Sequence, residues 1–459
     1  MEIKSGALVL ADISGYTRFT RMHLTSLLHA EEIISELLEA VIHAAEFPLQ
    51  VSQLEGDAVL LFAEVGPGRE AEAAQDVARQ IKQLFTAFIA RERALIACDA
   101  GCMCDACNNI GQLKLKAVLH FGEFSVMRIQ GVEELTGADI KLLRALIKAP
   151  VASSEYVLMT QRFYDLSGGL EDRAPDEQLE IASANSARGM IYFPQLAGPN
   201  MATPPGAAPA FSARLNQHAF ARMFGRKPRA RFNYLVAGQM NLVGYLLEGI
   251  LSGLNLLGRA LRRLIQRGEK KGMTIKRVAL VLIGITGDSH TGPQVEQIKT
   301  ELLKAVIDAA HPPLALNKLE GDAAFLYPLA NSDEVGVART VARQVEEIFK
   351  KFKAKAHALA EDSRYPAEAY QAVSRLRFKA LLHCGEAAFK NIRQFEEIAG
   401  EDVILIHRLL KNSVPMQDYA LMTERFYQRS GGLENKEAET RRETAEGFGE
   451  VPVWILNLN

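Results

Sequence analysis
The feature that most limits what this chain can fold into is that it contains itself twice. Leu37 to Ala45 returns as Leu302 to Ala310, Leu54 to Asp57 as Leu319 to Asp322, and Leu115 to Glu123 as Phe378 to Glu386. Leu158 to Tyr164 then returns as Leu421 to Tyr427, and Ser167 to Leu170 as Ser430 to Leu433. A similarity this long marks one folding unit used twice. Each copy reads as strand, long amphipathic helix, hairpin, second helix, strand, helix and closing strands, which is an α+β sandwich with helices over one antiparallel sheet.

The chemistry gathers at two points of the first copy. Ala7 to Leu10 is an apolar run that reads as a buried strand, so Asp12 falls where the strand gives way to a turn at Gly15 and a following helix. Gly56-Asp57 sits between two strand-like runs and reads as a tight hairpin turn. Either acid alone is as readily a helix N-cap or a turn residue. Together, on neighbouring strand ends beside the N–H groups of a glycine turn, they suit Mg²⁺ carrying a nucleotide's phosphates. The second copy has Gly284 in place of Asp12 and keeps only Asp322. A two-acid site therefore exists once per chain.

This pattern, Ala11 to Thr17 followed by Gly56-Asp57, resembles the catalytic domain of class III nucleotidyl cyclases, and the duplication resembles a tandem cyclase-related family of unknown function. The resemblance implies two ferredoxin-like sandwiches forming a pseudo-two-fold pair within the chain, joined by a partly helical linker, with sites at the interface. It implies Asp12 and Asp57 as ligands of Mg²⁺ or Mn²⁺, with Ile13, Gly15, Tyr16 and Thr17 at the phosphates. In the second copy Lys318 and Glu397 match the adenine-recognising positions, and Arg408 matches the transition-state arginine. The Asn expected four residues before that arginine is Ile404. The mirror interface would join Gly284 and Asp322 with Gln53, Glu134, Lys141 and Ala145, lacking one acid and the arginine. The implied ligand is a nucleoside triphosphate, ATP favoured. Two functions stay open: a cyclase forming cyclic AMP, and a catalytically silent nucleotide-binding or interaction module.

The chain divides into a first cyclase-like domain over 1–197, a middle segment over 198–274, and a second cyclase-like domain over 275–459. The middle segment opens on a linker rich in proline and alanine, continues with a basic stretch, and is strongly apolar from Phe232 to Gly258. A single crossing would put the copies on opposite sides of a membrane, so a helix packed against the two domains, against another chain, or lying on a membrane surface is preferred to a true span. The net charge of −2 gives no pull toward nucleic acid. With no signal segment visible, a cytoplasmic location is expected, with attachment through 232–258 as the variant.

Four of the five cysteines, Cys98, Cys102, Cys104 and Cys107, lie in one short run with no counterpart in the second copy. Four thiolates so spaced can wrap a structural Zn²⁺, although local disulfides or a redox switch fit the same run. Cys384, within an apolar strand, reads as core.

Overall fold
The structure, a computed structural model, describes residues 3–22, 27–98, 104–170, 173–181, 187–194, 273–287, 293–328, 333–362, 365, 371, 373–393, 395–415, 417–434 and 436–459. Residues 198–272 of the middle segment, including the apolar stretch 232–258, lie outside the described residues. Residues 1–194 and 273–459 form one compact unit.

The first copy runs β1 (Ile3–Ser14), α1 (Tyr16–Met22), α2 (Leu27–Ala44), β2 (Gln50–Glu55), β3 (Ala58–Glu64), α3 (Glu70–Cys98), α4 (Asp105–Asn109), β4 (Lys114–Ile129), β5 (Val132–Thr136), α5 (Ala138–Leu146), β6 (Tyr156–Thr160), α6 (Gln161–Ser167), β7 (Glu177–Ile181) and β8 (Ala187–Tyr192). The second repeats the plan as β9 (Thr274–Thr286), α7 (Pro293–Ala309), β10 (Leu314–Glu320), β11 (Ala323–Pro328), α8 (Glu334–Ala360), β12 (Arg377–Ile392), β13 (Phe395–Ala399), α9 (Glu401–Leu409), β14 (Tyr419–Thr423), α10 (Glu424–Ser430), β15 (Ala438–Ala445) and β16 (Gly449–Asn457). The order of the main sheet is β2-β3-β1-β4-β6-β8-β7, and the second copy matches it strand for strand.

Ala7 to Ala11 are buried because β1 is central, flanked by β3 and β4, with apolar side chains on both faces. Two corrections to the sequence reading follow. The sheets are mixed, since β4 pairs in parallel with β6 and β12 with β14. Helices also cover both faces: Leu8, Leu10 and Leu60 pack against Ile140 and Leu143 of α5, and in the second copy Val281 and Ile283 pack toward α7 and α8 while Leu280 and Leu282 pack toward α9. An unbroken apolar strand with two covered faces gives no alternation from which to assign sides.

The copies are held by exchanged arms. The outer part of β4 pairs with β5 through a Gln130-Gly131 turn with φ of 49° and 85°, the doubly left-handed geometry of a tight hairpin. On that arm Met127 and Ile129, each 3% exposed, belong to the second copy's core. Burying each contributes about 1.5–3 kcal/mol to the pairing. Reciprocally, Lys390 of the β12–β13 arm meets Glu31 of α2 at 2.9 Å, both fully enclosed.

Candidate functional site
Asp12 stands two residues before the end of β1, opposite Ala58 on one side and Lys116 on the other. The Ile13 amide donates to the Asp57 carbonyl at 3.0 Å, which fastens the hairpin turn against β1. Gly56 begins that turn at φ +72°, in the left-handed region open to glycine. The two acids thus share one floor. Burial raises both carboxyls above the ordinary aspartate range, and Asp12 pushes Asp57 further up; Lys116 counteracts the rise on Asp12. Asp12 thus disfavours the charged form of Asp57, a cost that a cation beside them would relieve.

Gly15, at φ +93°, turns the chain into α1. Ile13, Gly15, Tyr16 and Thr17 line the same cleft as Asp12 and Asp57, a space of about 1190 Å³. The Tyr16 ring points away from it, with its hydroxyl donating to Glu31 at 3.0 Å. Only the backbone of Tyr16 is therefore left to face a ligand. Through Glu31 the turn is tied to Lys390 of the second copy.

From the second copy, Lys318, Ile404, His407 and Arg408 reach this cleft. Arg408 donates to Glu446 at 2.6 Å and to the Thr17 hydroxyl at 3.4 Å, so it spans from its own copy to the α1 turn of the other. Lys318 on β10, half-buried, lies 3.2 Å from Glu397 on β13, which is buried. Glu397 sits behind Lys318 rather than on the cleft wall. Burial raises the Glu397 carboxyl and the two lysines Lys318 and Lys390 oppose that rise. Ile404 occupies the wall where the resemblance places an amide.

Sequence reasoning missed several cations here. Lys116 is 3.0 Å from Asp12. It belongs to the repeated Leu115 to Glu123 stretch, so it was visible only as a mark of duplication. Lys148 also lines the cleft, and burial lowers its ammonium pKa with help from Lys411 and Arg408 across the interface. The acids beside the two hairpin turns are both paired, Glu55 with Arg144 at 2.7 Å and Glu320 with His407 at 2.9 Å. Burial alone would raise the Glu320 carboxyl, but His407 and Lys318 hold it down to about 2.

At the mirror interface the groups are spent on one another. Lys141 of α5 pairs with Glu296 at 2.8 Å and with Asp322 at 3.6 Å, and Lys299 pairs with Asp322 at 3.0 Å. Glu134 accepts from Arg144 at 2.9 Å and from the Gly321 amide at 2.7 Å. Gly284 faces Lys379, whose ammonium caps the Leu410 carbonyl instead of an acid.

Of the cysteine run, Cys98 ends α3 and Cys102 lies outside the described residues. Cys104 caps the start of α4 and Cys107 lies on it, and His29 of α2 meets both. Cys384 is buried, as expected, and burial pushes its thiol up to about 12.

Two paired sandwiches with reciprocal arms and a cleft between them define a protein of the class III nucleotidyl cyclase-like fold. The chain belongs to the family described as protein of unknown function (DUF2652), whose signature matches residues 34–156 and 299–419, once in each copy. It is 32% identical over 158 residues to an uncharacterized protein of Mycobacterium tuberculosis, covering 34% of this chain and 72% of that one. Among solved structures it resembles a class III adenylyl cyclase-like ATP-binding protein from Pseudomonas aeruginosa, with a TM-score of 0.51 and 10% identity over 93% of this chain and 85% of that one. The adenylyl cyclase CyaB of P. aeruginosa matches at a TM-score of 0.32 and 13% identity, over 40% of this chain and 95% of that one.

Proposed function
We propose that the cleft binds a nucleoside triphosphate, ATP first, with Mg²⁺ or Mn²⁺ on Asp12 and Asp57. The observation that carries this reading is the meeting of two mutually opposed carboxylates with Arg408 from the other copy in one cleft. A bound divalent ion would neutralise the acids and polarise the phosphates. The amides of the Gly15 turn would donate to phosphate oxygens, and Arg408, already against Thr17, would take charge at the phosphate chain. Lys318 and Glu397 offer a donor and an acceptor to a purine edge, provided the ligand replaces their mutual bond. The Pseudomonas protein of like fold is described as ATP-binding, which supports the same choice of nucleotide here.

A second reading is a silent nucleotide-sensing module, and the observation favouring it is Ile404. An isobutyl-sized wall offers no hydrogen bond to a ribose, so attack of the 3′-hydroxyl on the α-phosphate would lack a positioning group. The test is ATP binding and cyclic AMP production by the full-length protein with Mn²⁺, beside Asp57→Ala and Arg408→Ala. Turnover lost in both variants establishes an enzyme with one composite site. Binding lost in Asp57→Ala, with no turnover in any form, establishes the sensor. Absence of both binding and turnover overturns the nucleotide reading.

A further inference from the structure
A different cluster, outside the residues that line the cleft, gathers ligating atoms of another chemical class. His29 lies in the first turn of α2, and Cys104 and Cys107 bracket the start of α4. The three ligating atoms lie within 4.8 Å of one another. His29 Nδ1 is 3.3 Å from Cys104 Sγ and 3.4 Å from Cys107 Sγ, and the two sulfurs are 3.3 Å apart. Around a tetrahedral zinc, sulfur–sulfur and sulfur–nitrogen separations are about 3.8 and about 3.6 Å. The cluster is therefore within a few tenths of an ångström of a ligand set. The Cys107 amide donates to Cys104 Sγ at 3.5 Å, the kind of backbone support that stabilises a metal-bound thiolate.

We propose that His29, Cys104 and Cys107 form a zinc site, with imidazole Nδ1 as a ligand and the fourth tetrahedral position available to a further donor. The donor set is soft and excludes Mg²⁺, whereas Asp12 and Asp57 are hard and suit it, so the chain separates two cations by ligand chemistry. His29 also changes the meaning of the site. Four cysteines within one loop would staple only that loop, but a histidine from α2 ties the loop to the helix that carries Glu31, beside α1 of the cleft turn. The site stands independently of what the cleft binds.

The test is the metal content of the full-length protein purified without chelator and, after exchange, the absorption spectrum with Co²⁺. About one zinc per chain is expected, with tetrahedral d–d bands and a thiolate charge-transfer band from cobalt. His29→Ala and Cys107→Ser should each weaken zinc by about 100-fold. His29→Cys should retain the metal with an altered cobalt spectrum, and Cys384→Ser should change neither. Full zinc occupancy and an unchanged spectrum in a folded His29→Ala variant would overturn the site. So would a metal-free protein carrying a Cys104–Cys107 disulfide, which would make the pair a redox couple.

Discussion
The two interfaces are built from the same elements in the same order, yet one lines a cleft of about 1190 Å³ and the other pairs its charged groups with one another. In the cleft, α9 of the second copy presents Ile404 and Arg408 toward Asp12, Asp57 and the α1 turn. In its mirror, α5 presents Lys141 and Ala145, and Lys141 reaches across to Glu296 and Asp322. A lysine where its counterpart has isoleucine turns a ligand wall into a cross-copy ion pair. Loss of the acid at Gly284 completes the change, because Asp322 pairs with Lys141 and Lys299 and no strand-end acid stands opposite it on β9. The lesson is that one fold used twice can carry different charge pairings at equivalent places, set by a few substitutions such as Asp12 against Gly284 and Ile404 against Lys141.

The comparison can be broken first at the arms that hold both clefts. Lys390→Met leaves Glu31 buried without its cation, and should destabilise the protein by about 3–5 kcal/mol in urea unfolding. Asp57→Ala should weaken ATP binding in Mn²⁺ by about 100-fold in calorimetry, whereas Asp322→Ala should change it by less than about twofold. Equal losses in both would erase the distinction between the clefts. Arg408→Ala should cost ATP about tenfold and leave AMP nearly unaffected, since the lost contact is to the phosphate chain.

Two smaller effects sharpen the contrast. Lys116 competes with a metal for Asp12 at 3.0 Å, so Lys116→Met should strengthen Mn²⁺ binding about two- to fivefold. At the mirror interface, burial raises the Glu134 carboxyl from 4.5 to about 7, against Arg144 and the Gly321 amide. A raised folded-state carboxyl means that the folded form holds the proton more tightly. Its contribution to stability is present below pH 4.5 and is lost as the pH rises through about 7. Urea midpoints should fall across that window in the parent protein, and Glu134→Gln should remove this part of the slope.

The duplication, the α+β class, the candidate acids and the loss of Asp12's counterpart at Gly284 were legible in the chain, because they reside in local pattern: an apolar strand, a glycine turn, a repeat. Several of the partnering cations were not. Lys116 lies on the strand beside Asp12, His29 is 75 residues from Cys104, and Lys390 is 359 residues from Glu31. Strand register, helix docking and arm exchange bring these groups together, and no local spacing records them. The same holds for the two-sided helix cover and the parallel β4–β6 pairing, which an unbroken apolar run leaves undecided. Sequence alone determined what each copy is and which acids it carries. Tertiary structure decided which charges face which, because an ion pair depends on a few ångströms of separation that only packing sets.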